Sequence, residues 1–337
     1  MNYSAIVAAA IGFIVSLSFG FPVVPFLKKL KFGQTIREDG PKWHASKEGT
    51  PTMGGILIVL GTLIGIIITV TLSPIIAKPV FSEHPLKTVQ WIAAVGLAMS
   101  MGLIGFIDDY IKVVKKRNLG LTARQKTFLQ LLVSAAFLSS LGLAGMDTTY
   151  IPLIGYIKIN SGAGLLFWPV ALMFIYGFTN AVNLTDGIDG LASSVTIVVS
   201  CAFMLLAGVL GFLGANIFAS ALTGALIGFL IWNGHPAKIF MGDTGSLFLG
   251  GAVCGLSFAI GCPAILLLIG MVYLLEALSV IIQVSHYKRT KKRVFKMTPI
   301  HHHFEMSGWS EEKIVFVFSF VAFIFSFIGC LLVIFVR

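Results

Sequence analysis

Five aspartates stand at or just past the ends of long apolar runs, in a chain of which only 11% of the residues are charged. They are Asp108, Asp109, Asp186, Asp189 and Asp243. Carboxylates at the rim of an apolar segment cost free energy unless something binds there. Oxygen ligands from several segments suit Mg²⁺, which takes one or two protein carboxylates and accepts phosphate oxygens beside them. If all five lie at one membrane face, they predict a polar, metal-binding site at the bilayer surface.

The elements that carry these aspartates are predicted to be membrane-spanning helices. Of the 337 residues, 57% are hydrophobic, and the mean hydropathy is +0.94. This composition predicts an all-α polytopic membrane protein in which residues 1–337 form a single integral membrane domain. Ten transmembrane helices are expected, near residues 4–27, 53–72, 88–107, 127–146, 164–182, 191–209, 215–232, 244–261, 264–285 and 314–336.

The basic residues predict the orientation of these spans. All but four of the 24 Lys and Arg residues fall in the loops after the odd-numbered spans, the others being Lys78, Lys87, Lys158 and Arg337. Cytoplasmic loops carry the excess of Lys and Arg, so both termini are expected outside and all five aspartates on the cytoplasmic face. The first 27 residues contain no Lys or Arg, so the first span lacks the basic head of a signal peptide and is expected to be retained.

The net charge, the cysteines and residues 148–160 narrow the range of possible functions and folds. The net charge of +10 is confined to loops beside the membrane and no nucleic-acid module is visible, so it indicates orientation, lipid headgroups or a phosphorylated substrate rather than nucleic acid. The four cysteines show no CxxC spacing, which argues against a disulfide framework or a zinc site. Residues 148–160 alternate β-branched and aromatic residues around Pro and Gly, which predicts a short β-hairpin on the outer face.

The first acidic motif is the pair Asp108 and Asp109. Adjacent carboxylates repel each other, and a nearby hard cation relieves the repulsion. One such pair at a helix end could also be simple solvation of that end. The two further acidic motifs on the same predicted face strengthen the interpretation as a metal or catalytic site.

The second motif is NAVNLTDGIDGLA, residues 180–192. Asn and Asp recur there every three residues, which on a helical turn would gather amides and carboxylates on one face. Gly187 and Gly190 permit tight backbone geometry or close approach of a ligand. A polar helix cap is the simpler alternative, since Asn and Asp cap helices well. The recurring residues are Asn180, Asn183, Asp186 and Asp189.

The third motif is NGHPAKIFMGDTGSLFLG, residues 233–250, in which Asp243 stands at the start of a predicted span. The free amides of a helix start favour phosphate, although capping alone explains the polar residues. Phe240 is expected to be exposed, either as an interfacial anchor or as a stacking surface for a nucleobase.

The fourth motif is TPIHHHFE, residues 298–305, which follows a basic run. Three consecutive His residues cannot easily all face one ion, so phosphate contact or proton transfer is the better expectation. The basic run with its apolar residues is also typical of a segment that anchors a loop to lipid. Glu276 is the one acid deep within a predicted span, where it either lines a groove or pairs internally.

Together these motifs resemble the phospho-N-acetylmuramoyl-pentapeptide transferases, a family of the polyprenyl-phosphate N-acetylhexosamine 1-phosphate transferase superfamily. The resemblance rests on MGGILI (53–58), DDYIK (108–112) and the three motifs above, and it covers essentially the whole chain. It implies transfer of phospho-MurNAc-pentapeptide from UDP-MurNAc-pentapeptide to undecaprenyl phosphate, with Mg²⁺, forming lipid I and UMP. It also implies a multi-pass protein of the bacterial cytoplasmic membrane whose active site faces the cytoplasm.

The resemblance also implies roles for individual residues. Asp243 is expected to be the metal ligand and, with Asp108, Asp109 and His301, to be catalytic. Substrate contacts are expected from Lys47, Thr52, Asn183, Asp186, Asp189, Asn233, Phe240, His302 and His303. Lys112 and Lys116 are expected to guide the lipid phosphate, although as basic residues of a loop they also fit an orientation role. Small-residue faces on the spans permit a homodimer.

Two questions stay open at the level of sequence. An aspartate can act as base or as nucleophile, but a phosphate monoester with a second pKa of about 6 is already largely ionised at neutral pH, which favours direct attack by the lipid phosphate. The alternatives are a UDP-N-acetylglucosamine transferase that acts on undecaprenyl phosphate and, from another class, a secondary transporter. A transporter would place ionisable groups near the midplane and often shows repeated halves, and neither is evident.

Overall fold

The protein is mostly helical in a computed structural model that describes residues 3–29, 47, 49–114 and 119–336. Apolar sequence forms helices in a membrane because each helix satisfies its own backbone hydrogen bonds. The long helices are α1 Ser4–Lys29, α2 Gly55–Ile76, α3 Pro85–Val114, α4 Ala123–Leu143, α5 Phe167–Thr185, α6 Leu191–Val209, α7 Leu213–Asn233, α8 Gly242–Ala259, α10 Met271–Thr290 and α12 Glu311–Val336. The short helices α9 and α11 span Leu266–Ile269 and Ile300–Glu305.

Eight helices in the described part of the chain are long and apolar enough to cross a membrane, which makes this a multi-pass membrane protein. A ninth span results if the bent pair Pro263–Ile269 and Met271–Thr290 is counted as one. The remaining predicted span corresponds to α8, which has only 18 residues and begins with the polar sequence GDTGS. The predicted count of ten therefore stays a prediction.

Helix α8 lies at the centre of the bundle, and its residues Thr244–Ala259 are all buried. It packs antiparallel against α3 through glycines that leave no room for a side chain. A Cβ at Gly255 would lie 2.9 Å from the Ala94 backbone, and one at Gly105 would overlap the carbonyl oxygen of Asp243. This close approach brings the C-terminal part of α3 to the first turn of α8, which is where the aspartates of both helices stand.

The predicted continuous span 264–285 is wrong in one respect, because it is broken at Gly270. The two helical pieces meet there at an angle of 78°. A Cβ at Gly270 would lie 2.6 Å from the Leu266 carbonyl oxygen and 3.0 Å from the Phe178 ring, so the tight corner requires glycine. Beyond the corner α10 buries few residues, and its exposed side chains include Leu278 and Ile281.

Strands β1 Thr148–Ile151 and β2 Gly155–Lys158 pair antiparallel within the segment predicted to form a hairpin. Thr149 lies opposite Ile157, and Tyr150 lies opposite Tyr156. The Tyr150 amide also donates to the carbonyl oxygen of Gly261, at the end of α8, over 3.0 Å. The strand pair therefore packs at the end of α8 that is remote from Asp243.

Candidate active site

Three carboxylates meet where α3 ends and α8 begins. Asp108 and Asp109 come from the C-terminal part of α3 and Asp243 from the first turn of α8, and one oxygen of each lies within 4.8 Å of the others. Asp108 and Asp109 are only 3% and 2% exposed. Asp243 is half-buried, and a cluster of three carboxylates, two of them buried, is costly unless cations neutralise it. The cluster therefore has the composition of a site for a hard cation.

Asp109 caps the N-terminus of α8. Its Oδ2 accepts hydrogen bonds from the Thr244 amide over 2.9 Å and from the Thr244 hydroxyl over 2.7 Å, and Oδ1 accepts a longer one from the Asp243 amide at 3.3 Å. The first amides of a helix lack partners within it and attract negative charge. Asp109 thereby fixes the backbone that carries Asp243.

Asp108 faces the connection between α3 and α4 instead. Its Oδ1 accepts from the Leu121 amide over 2.7 Å, and a Cβ at Gly120 would overlap that oxygen. The next residue, Thr122, caps α4 in a reciprocal pairing with Gln125. Asp108 therefore fixes the start of α4 relative to the end of α3.

Two lysines neutralise the cluster. The Lys112 ammonium lies 2.6 Å from Asp108 Oδ2 and 2.7 Å from Asp243 Oδ2, and the Lys126 ammonium lies 3.1 Å from the same Asp243 oxygen. Lys112 was expected near the lipid phosphate, but Lys126 was not among the predicted site residues. The signal for Lys126 was available: it lies one residue before the predicted fourth span, on the predicted cytoplasmic side.

Asn183 holds the second oxygen of Asp243. Its side-chain amide donates to Asp243 Oδ1 and to the Ser246 hydroxyl, each over 2.7 Å. Asp243 therefore accepts from an amide on one oxygen and pairs with ammonium groups on the other. This arrangement leaves the carboxylate in one defined orientation.

The expectation that residues 180–189 present one helical face is wrong. Helix α5 ends at Thr185, and the chain then turns until Gly190, whose φ of 75° precedes α6. Asn180 donates to Gln130 rather than into the cluster. Asp186 lies half-buried at the turn, where burial and the charges of Asp243, Asp109 and Asp189 raise its pKa to about 8. The turn thus separates groups that a continuous helix would have aligned.

Asp189 belongs to a second cluster. Its Oδ1 lies 2.8 Å from the Lys47 ammonium, and its Oδ2 accepts from the Ala237 amide and contacts His235 Nδ1. Lys47 also pairs with Glu311 over 2.7 Å. Lys47 and Asp189 were predicted as substrate contacts and do meet, whereas His235 and Glu311 were not singled out. The predicted constellation of five aspartates is therefore two clusters.

The remaining predicted contacts lie between or beside the two clusters. Asn233 is 2% exposed and holds the following loop, donating to the Ile239 carbonyl and accepting from Ser193. Phe240, expected to be exposed, is half-buried, and its backbone pairs with Pro51 and Gly54. The Thr52 hydroxyl lies beside Gly242, next to Asp109. Lys116 lies outside the described residues.

Sequence similarity to known proteins shows the family. Residues 91–261 match Glycosyl transferase family 4, and residues 47–59 match phospho-N-acetylmuramoyl-pentapeptide-transferase signature 1. The chain is 45% identical over 324 residues to the phospho-N-acetylmuramoyl-pentapeptide-transferase of Clostridium perfringens (strain SM101 / Type A), covering 96% of this chain and 95% of the relative. It is 46% identical over 325 residues to that of Carboxydothermus hydrogenoformans, with 95% of each chain covered.

The chain belongs to the phospho-N-acetylmuramoyl-pentapeptide-transferase family. This confirms the resemblance found in the sequence motifs, and it makes the protein a phosphosugar transferase enzyme. The signature region begins at Lys47, which belongs to the second cluster, and includes Thr52, which lies beside the first.

The three histidines of this transferase have three different partners. His301 Nδ1 lies 3.1 Å from Glu276 Oε1, and both residues are 0% exposed. His302 Nδ1 pairs with Glu305, and His303 Nδ1 accepts from the Lys296 amide over 3.1 Å. Of the two roles open for Glu276, internal pairing is the one observed.

Proposed function

We propose that the transferase moves phospho-MurNAc-pentapeptide from UDP-MurNAc-pentapeptide to undecaprenyl phosphate at the cluster of Asp108, Asp109 and Asp243, forming lipid I and UMP. The observation that carries this placement is the meeting of the three carboxylates with Lys112 and Lys126 at the N-terminus of α8. A diphosphate donor and a phosphate acceptor bring several negative charges together. Ammonium groups and a helix N-terminus are the groups that neutralise and orient such charge.

The residues fit Mg²⁺ by their donor chemistry. Carboxylate oxygens from α3 and α8 lie within 4.8 Å of one another, and Lys112 already lies between Asp108 and Asp243 as a cationic partner. Asp243 would hold the ion, with Asp108 and Asp109 beside it. Bound Mg²⁺ would neutralise phosphate oxygens and the departing UMP.

The protein's own residues align the two substrates. One oxygen of the lipid phosphate forms the new bond to the β-phosphorus of the nucleotide sugar, while the bond between that phosphorus and the UMP oxygen breaks. Lys112 and Lys126 offset the charge at the two phosphates. Asp109 and Asn183 keep Asp243 in place, and we assign the binding of the nucleotide to Asp186, Lys47 and Asp189. No protein carboxylate has to take a proton from an already ionised phosphate.

The membrane orientation belongs to the same proposal. Ten spans with both termini outside place the acidic cluster on the cytoplasmic face of the cytoplasmic membrane and the strand pair 148–158 on the outer face. This agrees with the basic segment at the end of α10, where Lys288, Arg289, Lys291, Lys292 and Arg293 are all exposed. Cysteines introduced in place of Leu153 and Lys292, which are both exposed, are expected to react with an impermeant thiol reagent from opposite sides of the membrane.

The deciding assay offers purified protein undecaprenyl phosphate and Mg²⁺ with either UDP-MurNAc-pentapeptide or UDP-N-acetylglucosamine, and measures UMP release. Release with the first donor only is expected. Release with the second only would instead assign the neighbouring branch of the superfamily. Asp243→Ala is expected to abolish release while the protein stays folded, and wild-type turnover by this variant would refute the placement of the site. Chelation by EDTA is expected to stop release, and added Mg²⁺ to restore it.

A further inference from the structure

Glu276 and His301 form a buried pair that links α10 to α11. Both side chains are 0% exposed. Glu276 Oε1 lies 3.1 Å from His301 Nδ1, and the His301 amide approaches Glu276 Oε2 at 3.5 Å. A carboxylate beside Nδ1 selects the ring form in which Nδ1 carries the proton and donates it. Glu276 therefore determines how the imidazole is rotated and which way Nε2 points.

Nε2 of His301 points at the turn between α5 and α6. It is buried and makes no hydrogen bond to any residue that the structure describes. A Cβ at Gly187 would overlap Nε2 and lie 2.6 Å from Cε1 of the same ring. Because Nε2 makes no hydrogen bond to the turn, the ring contacts the turn by van der Waals packing alone.

The backbone of Gly187 does not itself require glycine. Its φ lies outside the left-handed region, unlike that of Gly190, whose φ is 75°. The three atoms nearest to a Cβ at position 187 all belong to the His301 ring. Glycine stands at 187 because the imidazole occupies the space that a side chain would take.

We propose that Glu276 and His301 are positioning residues for the turn 186–190, which carries Asp186 and holds Asp189 against Lys47. Glu276 orients the imidazole, and the imidazole packed on Gly187 sets the position of the turn. This rests on the proposed function, in which that turn contacts the nucleotide sugar. His301 then acts through Asp186 and Asp189 and not by contact with the reacting phosphates.

The test combines a substitution that adds a methyl group at position 187 with one that removes the ring of His301. Gly187→Ala places a methyl group against the ring, and kcat/KM for the nucleotide sugar is expected to fall about 10- to 100-fold, since a displacement of about 1 Å can have that effect. His301→Ala is expected to raise the KM for the nucleotide sugar more than the KM for the lipid phosphate. The double variant Gly187→Ala with His301→Ala is expected to be within about threefold of His301→Ala alone, because the clash is gone.

Two matched variants sharpen this test. Gly190→Ala lies in the same turn but is strained by its backbone, so His301→Ala is expected not to rescue it. Glu276→Gln retains an oxygen that can accept from His301 Nδ1, so the ring is expected to stay in place and this variant too is expected not to rescue Gly187→Ala. The thermal unfolding midpoint of every variant is measured alongside, and the rescue is expected there as well. If His301→Ala does not fold, His301→Ser replaces it in the same cycle.

Independent, additive effects of Gly187→Ala and His301→Ala on both KM and the unfolding midpoint would overturn the inference. Equal changes in the KM of both substrates would also overturn it, because the turn would then have no particular relation to the nucleotide sugar. A wild-type protein that releases no UMP would instead refute the proposed function. The rescue of the Gly187→Ala unfolding midpoint by His301→Ala would still be measurable in that case, so the two failures are distinguishable.

Discussion

The cap that Asp109 forms on α8 predicts a specific loss when the carboxylate is removed. Asp109→Ala leaves the Thr244 amide, the Thr244 hydroxyl and the Asp243 amide without their acceptor. The residue is 2% exposed, so water does not readily replace the carboxylate. The first turn of α8 carries Asp243, and the substitution therefore affects both stability and the candidate metal ligand.

The expected size of this loss follows from the three hydrogen bonds. A hydrogen bond to a charged group contributes about 1.5–3 kcal/mol, so the two short bonds to Thr244 amount to roughly 3–6 kcal/mol before relaxation. Removing one of three clustered carboxylates also relieves about 1 kcal/mol of repulsion. We expect a net loss of about 2–4 kcal/mol for Asp109→Ala. Thr244→Val removes only the hydroxyl and keeps the amide, so it loses one of the two short bonds, and its net loss should be about half of that for Asp109→Ala, roughly 1–2 kcal/mol.

The assay is thermal unfolding of the purified variants in one detergent at one heating rate, because membrane proteins commonly unfold irreversibly and only midpoints measured alike are comparable. The expected order of the midpoints is wild type, then Thr244→Val, then Asp109→Ala. UMP release should be strongly reduced in Asp109→Ala and largely retained in Thr244→Val. An Asp109→Ala midpoint equal to that of the wild type would show that the carboxylate does not hold the start of α8.

Three other predictions concern the charges around the site. Lys126→Ala removes an ammonium 3.1 Å from Asp243, so the Mg²⁺ concentration for half-maximal activity should fall by up to about tenfold, and an unchanged or raised value in a Mg²⁺ titration would contradict this. The pKa of Asp186 is raised from 3.8 to about 8, so between pH 4 and pH 8 the folded protein holds a proton that the unfolded chain has lost. The unfolding midpoint of the metal-free protein should therefore decrease as the pH rises from 4 to 8. The decrease should be smaller in Asp186→Asn. Asp189→Asn weakens the pairing with Lys47 and His235, so it should raise the KM for the nucleotide sugar more than it lowers kcat in initial-rate measurements.

Much of the helical framework could be predicted from the sequence because each span is a local property. An apolar run long enough to cross a bilayer forms a helix whatever its neighbours do. All ten predicted segments coincide with helical structure, and the largest difference at an end is that of α3, which continues to Val114 although its predicted span ends at 107. The break at Gly270 was missed, since a single glycine in an apolar run does not by itself indicate a corner of 78°. That corner is set by the Leu266 carbonyl and the Phe178 ring, which lie close only in the folded protein.

The residue types of the candidate site could be predicted from the sequence, but the division of its aspartates between two clusters could not. The motifs drew attention to Asp108, Asp109 and Asp243, and the structure brings these three together. They also suggested that Asp189 joins them, whereas it pairs with Lys47 and His235. A spacing of three residues aligns side chains only while the helix continues, and α5 ends at Thr185.

By itself the sequence determined the class of the protein, its family and the chemical character of its site. Apolar runs, charge placement and short acidic motifs are local patterns, so they can be interpreted without contacts. Only the tertiary structure decided which groups each carboxylate contacts and which part of the backbone it holds. Asp109 caps α8, Asp108 holds the start of α4, and Asp243 is held between Asn183 and two lysines. These roles depend on partners more than ten positions away in the chain, and the packing of α3 against α8 brings several of them together.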